Sequence, residues 1–112
     1  MSLAIKLLIE PLRSLGFASI GVGYMGIGTA ISNEARMVYV SNLTNRSMSF
    51  SFDGIHDHFV LPVYGFVLLD VCSNQSLRRD LNIAVGERLY VKQIVAPSAG
   101  SVYVTVFYGK DH

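Results

Sequence analysis

Ser101-Val102-Tyr103-Val104-Thr105-Val106-Phe107-Tyr108 sets a valine at every second position. In an extended chain successive side chains point to opposite faces, so Val102, Val104 and Val106 share one face and Tyr103 looks away from them. Met48-Ser49-Phe50-Ser51-Phe52 repeats the period, predicting Met48, Phe50 and Phe52 inward with Ser49 and Ser51 outward. Asp53-Gly54 then closes that strand with a strong turn signal.

Working outward from these two runs, the chain is β-rich from Arg36 onward. Met37-Val38-Tyr39-Val40 is a short β-prone run followed by the polar loop Ser41 to Asn45. Phe59-Val60-Leu61-Pro62 and Phe66 to Cys72 flank a turn at Val63-Tyr64-Gly65. Ser73 to Asp80 is polar and reads as a loop. Leu81 to Val85 alternates again and turns at Gly86-Glu87; Leu89 to Val95 leads to the loop Pro97 to Gly100. Six or seven short strands separated by turns, each with one inward face, predict an all-β fold: an antiparallel β-sandwich, jelly-roll-like, built from two sheets on a shared core.

Residues 1–35 are written differently. Ile5 to Glu10 is a short strand or helical turn stopped by Pro11, and Phe17 to Tyr24 is a glycine-laced candidate for a first strand. The chain therefore divides into an apolar N-terminal arm with a Gly-rich first-strand region, 1–35, and a sandwich core, 36–112. An apolar segment of this kind pairs along a sheet edge or packs into something else. Ile5, Leu7, Leu8, Ile9, Leu12 and Phe17 are the candidate partner-binding residues.

Composition narrows the function classes. The 112 residues are 51% hydrophobic and only 15% charged, against about 25% charged in ordinary domains, which excludes a disordered chain. Nine Lys+Arg against eight Asp+Glu give a net charge of +1, so there is no cationic field for nucleic acid. One cysteine, Cys72, excludes an internal disulfide framework. A small chain with mean hydropathy +0.42 has two outlets for its apolar surface, a membrane or a partner. Ser14 to Asn33 carries no charge over 20 residues, long enough to span, but five glycines and several polar residues argue against a helix there. Glu10, Pro11 and Arg13 likewise interrupt any signal-peptide core. The sequons at Asn42, Asn45 and Asn74 then read as turn and strand chemistry.

No catalytic, cofactor or metal residues are assigned. Gly21-Val22-Gly23-Tyr24-Met25-Gly26 spells G-x-G-x-x-G, but no helix follows to present its N-terminus to a pyrophosphate. Asp53, His56, Asp57 and His58 form the one cluster of metal-ligand character; the H-x-H lacks the nearby Glu and distant His of a cupin site, so a polar loop is the default. Cys72 stands in an apolar run as a small hydrophobe. Tyr90, Tyr103 and Tyr108, set on neighbouring strands, would offer an aromatic surface for protein or sugar.

Asn42 to Gly54 followed by His58-Phe59-Val60-Leu61-Pro62, together with Leu68-Leu69-Asp70, Gly86 to Lys92 and the ending Gly100 to Gly109, resembles small virion structural proteins of tailed bacteriophages. The likeness extends to Gly26-Ile27-Gly28-Thr29. It implies a compact β-sandwich, not an enzyme, that decorates or cements a capsid or serves as a neck, tail or fibre-attachment adaptor. The implied location is the virion. The implied partners are the major capsid or other virion proteins and further copies of the chain, with no nucleic acid or membrane partner. A carbohydrate- or receptor-binding sandwich is the alternative from another class.

Overall fold

The valine alternation of Ser101 to Tyr108 is realised as the longest strand among the described residues. In the computed structural model, which describes residues 5–33, 35–70 and 85–111, nine strands follow in order. They are β1 (Ile5–Ile9), β2 (Arg13–Gly16), β3 (Met25–Gly26), β4 (Ala35–Asn42), β5 (Met48–Ser51), β6 (Phe59–Leu61), β7 (Phe66–Asp70), β8 (Tyr90–Gln93) and β9 (Ser101–Asp111). A single 3-10 turn spans Phe17–Ser19. No helix among the described residues is long and apolar enough to cross a membrane.

The pairing is nested. β1 and β2 both lie along β9, β3 pairs β8, β4 pairs β7 and β5 pairs β6, all antiparallel. Two further pairings, β4 with β9 and β5 with β8, gather these couples into sheets. Sheet A runs β1/β2-β9-β4-β7 and sheet B runs β3-β8-β5-β6. First-with-last pairing rolled into two sheets is the jelly-roll arrangement, and the β-sandwich expected from the sequence is the fold observed.

The core lies between the sheets. Val102, Val104 and Val106 are at most 2% exposed, and they face Met48, Phe50 and Val91 of sheet B, all fully buried. Phe50 and Phe59 stack with ring centroids 5.1 Å apart. Each fully buried aliphatic or aromatic side chain contributes about 1.5–3 kcal/mol of transfer free energy. Ile20, Ile27, Ile31 and Ala35, all from the first 35 residues, belong to the same buried cluster.

Three local expectations change. Phe17 to Tyr24 forms the 3-10 turn and bends, and the strands stand on either side of it as β2 and β3; its glycines carry the chain from one sheet to the other. Ser49 and Ser51 point outward by parity yet are 3% and 0% exposed, because Tyr24 and the loop 53–58 lie over them. Tyr90 sits on sheet B while Tyr103 and Tyr108 sit on sheet A, so the three do not form one surface. The loop expected at Ser73 to Asp80, most of the strand expected at Leu81 to Val85, and Cys72 lie outside the described residues.

The N-terminal arm takes the sheet-edge option, within its own chain. Its register along β9 steps by one residue: Ile9 faces Phe107, whereas Arg13 faces Val104. The extra residue falls at Pro11-Leu12 and makes a β-bulge that merges β1 and β2 into one bent edge strand.

Candidate interaction surface

Antiparallel register places directly opposed residues on the same face of a sheet. On β4, Val38 and Val40 face the core, so parity turns Met37, Tyr39 and Ser41 to the opposite face, where Ser41 is nevertheless buried at 8% exposure. Their partners complete three rows across the outside of sheet A: Phe66-Ser41-Tyr103, Leu68-Tyr39-Thr105 and Asp70-Met37-Phe107. Ile9 extends the third row and Ser14 the first. Phe66 is 64% and Leu68 50% exposed, and the Phe66 ring lies 5.8 Å from that of Tyr39. An outer sheet face is ordinarily polar; this one is aromatic and aliphatic with hydroxyls between. Most other exposed apolar residues, such as Val22, Ile55, Val60 and Ile94, lie in loops or on sheet B.

Of the candidate partner-binding residues, Ile9 and Leu12 are each 60% exposed and Phe17 is 38% exposed. Leu8 is half-buried opposite Tyr108, and Ile5 and Leu7 lie on β1 opposite Asp111 and Gly109. The bulge has a second effect. It turns both Glu10 and Arg13 inward, where they form a 2.6 Å ion pair with side chains 4% and 8% exposed. The Glu10 carboxylate also accepts from the Asn33 and Ser32 backbone N–H groups and from the Asn33 amide, while Arg13 donates to the Thr29 and Ala30 carbonyls. Burial pushes the Glu10 carboxyl up; the hydrogen bonds from Asn33, Arg13 and Ser32 outweigh it and hold the pKa below its ordinary 4.5. This clasp fastens the loop 28–33 to the edge strand and lines an open depression of about 510 Å³ beside Ile9, Leu12 and Tyr108.

The Asp53 to His58 loop folds on itself. Asp53 Oδ1 accepts from Ser51 Oγ and from the backbone N–H groups of Ile55 and His56, and Oδ2 meets His56 Nδ1 at 2.7 Å. These bonds, that of His56 first, hold Asp53 far below the usual carboxylate range, and Asp53 raises the pKa of His56 in return. His58 Nδ1 accepts the Phe52 N–H, so each imidazole is tied into the loop through its Nδ1. Asp57 instead reaches across sheet B. It accepts the Tyr24 phenol at 2.5 Å and Lys92 at 3.1 Å, with the Lys92 ammonium 4.9 Å above the Tyr24 ring. The bonds from Tyr24 and Lys92 lower the Asp57 pKa; burial and the bond to Asp57 raise that of Tyr24.

Gly21-Val22-Gly23-Tyr24-Met25-Gly26 enters strand β3, not a helix, and a side chain at Gly26 would overlap the Arg88 guanidinium packed there.

The outer rows of sheet A were absent from the candidate residues, though a signal for them exists. Met37-Val38-Tyr39-Val40 and Phe66-Val67-Leu68-Leu69 are apolar at every position, not every second one. In an antiparallel sandwich such runs have an apolar face left over after the core is filled. Compared with known protein families, curated proteins and solved structures, the chain matches none.

Proposed function

We propose that this chain is a structural component of a tailed-bacteriophage virion, a capsid decoration or cement protein that works by protein contact. The observation carrying this reading is the apolar outer face of sheet A, three rows deep, on a jelly roll whose core is already filled from the other side. The strand-and-turn phrases from Asn42 to Gly109 that resemble such virion proteins supply the setting. Burial of that face yields about 25 cal/mol per Å², and repetition over a symmetric shell multiplies it. Counting copies by quantitative mass spectrometry of virions purified from the phage that encodes the chain tests the proposal. Hundreds of copies per particle are expected; a few to a dozen would move the protein to the neck, tail or fibre attachment, and none would overturn the reading.

One observation favours a second reading, a carbohydrate- or receptor-binding sandwich: the Tyr24–Asp57–Lys92 cluster on the outside of sheet B combines an aromatic ring with exposed polar groups. A glycan array probed with the purified protein decides it, a specific signal abolished by Asp57→Ala being the supporting result.

A further inference from the structure

We infer that the Arg88 guanidinium, on the outside of sheet B, receives the carboxylate of an acidic oligosaccharide. This rests on the reading of sheet B as a glycan-binding face, and deepens it by naming the chemistry of the ligand.

Leu89 and Val91 are buried in the core, so alternation turns Arg88, Tyr90 and Lys92 to the outer face of sheet B. Arg88 lies over Gly26, the residue paired with Tyr90 on the edge strand β3, and fills the space that a side chain at position 26 would need. Its guanidinium carbon stands 5.8 Å from the centre of the Tyr90 ring. Packing therefore fixes the group, yet its charge has no counterpart. Among the described residues no carboxylate pairs with Arg88, and its Nε is buried without an acceptor. Arginine stays charged at any ordinary pH, and an unpaired cation with one dry donor costs free energy. A carboxylate meeting the two terminal nitrogens end-on would offset that cost with two parallel charge-assisted hydrogen bonds.

The neighbours select the ligand class. Lys92 is already neutralised by Asp57 at 3.1 Å, and Asp53 closes the same loop over Ser51. Two carboxylates bordering the face repel a ligand with many negative charges, such as an acidic peptide. They suit a single carboxylate set among neutral hydroxyls, from which the exposed Asp57 accepts hydrogen bonds. Arg88 and Lys92 stand four residues apart on one strand line, about 13 Å, so the face spans linked sugars rather than one ring.

An array of uronic- and sialic-acid oligosaccharides, each printed beside its carboxyl-reduced counterpart and probed with the full chain, tests this. At least one acidic glycan is expected to bind about tenfold or more above its reduced counterpart. Arg88→Gln lowers that signal to the level of the reduced glycan. Arg88→Lys restores only part of it, because a point charge lacks the fork. Gly26→Ala, which displaces the guanidinium but keeps its charge, lowers it as well, whereas Asp57→Ala lowers the acidic and reduced signals alike. Near-ultraviolet circular dichroism reports whether each variant keeps the fold; should Gly26→Ala fail to fold, the two Arg88 variants carry the test. Equal binding of acidic and reduced glycans overturns the inference and leaves the glycan reading standing, while no signal on any glycan overturns both. Acid-selective binding that survives Arg88→Gln also overturns it, as does tighter, Arg88-dependent binding of an aspartate-rich peptide.

Discussion

Gly100 closes the loop before β9 with φ at +90°, and a Cβ there would overlap the Leu43 carbonyl oxygen and the Thr44 backbone. Both the left-handed conformation and the contact exclude a side chain. Gly100→Ala is expected to destabilise the fold by about 3 kcal/mol or more, read as a lowered urea midpoint. Across that loop Asn45 and Ser98 exchange two hydrogen bonds, and Asn42, fully buried, donates to the Arg46, Leu61 and Pro62 carbonyls while accepting from Thr44. The sequon asparagines at 42 and 45 are thus turn chemistry, as their sequence context indicates. Glu10 gives a pH signature. Its pKa in the folded chain lies below the ordinary value, so its contribution is complete above the normal carboxylate range and is lost as pH falls through the lowered value. Glu10→Gln, which strands Arg13 in a buried site, is expected to cost about 3 kcal/mol at pH 7. The difference from wild type should shrink in denaturation curves recorded near pH 3; a constant gap would refute the assignment.

At the scale of elements, the edge strand settles how the N-terminal segment can be tested. Deleting residues 1–14 removes β1, the bulge and both members of the clasp, and leaves β9 without its neighbour along that side. The truncated chain is expected to lose its cooperative thermal transition, which would masquerade as lost docking. Ile9→Asp and Leu12→Asp, at positions 60% exposed, should instead keep the melting curve within about 1 kcal/mol of wild type and report on contact alone. The strands β5 and β9 could be read directly, because alternation in Met48 to Phe52 and Ser101 to Tyr108 is a local property of the chain. The bulge could not. Its register depends on β9, some ninety residues away, and without it Glu10 and Arg13 look like an ordinary exposed pair beside a proline. Ser49 escaped for the same reason, since its cover, Tyr24, comes from a segment remote in sequence, whereas Ser51 is covered by the adjacent loop that begins at Asp53. The candidate residues of the arm were legible as apolar; the face of sheet A was signalled by the unbroken apolar runs at 37–40 and 66–69, but its rows take shape when three strands are laid side by side.

For the whole molecule, nesting orders the formation of contacts. The β5–β6 couple closes a short loop, whereas β1–β9 joins residues about a hundred positions apart. Loop-closure entropy rises with separation, so the inner couples are expected to form early and the outer one late. Leu8→Ala on β1 should therefore accelerate unfolding and leave the refolding rate nearly unchanged, while Phe50→Leu on β5 slows refolding. Stopped-flow chevrons of the two variants check this; equal effects on both limbs would sink the nested order. The rolled architecture also explains why high hydropathy coexists with few charges. Two sheets consume one face of each strand in the core, and what remains exposed is spread over the loops, sheet B and the Ile9, Phe66 and Leu68 positions of sheet A.

The pairing of Ile5 with Asp111 brings the two ends of the described chain to one corner of sheet A as cross-strand neighbours about 5 Å apart. A peptide fused ahead of Ile5 and another fused after Asp111 would leave the molecule side by side, so either end can carry cargo to the same spot. A linker of a few residues between them would also turn the chain into a ring that can be opened elsewhere, at the Tyr64 turn for instance, to present a payload from the opposite end of the roll.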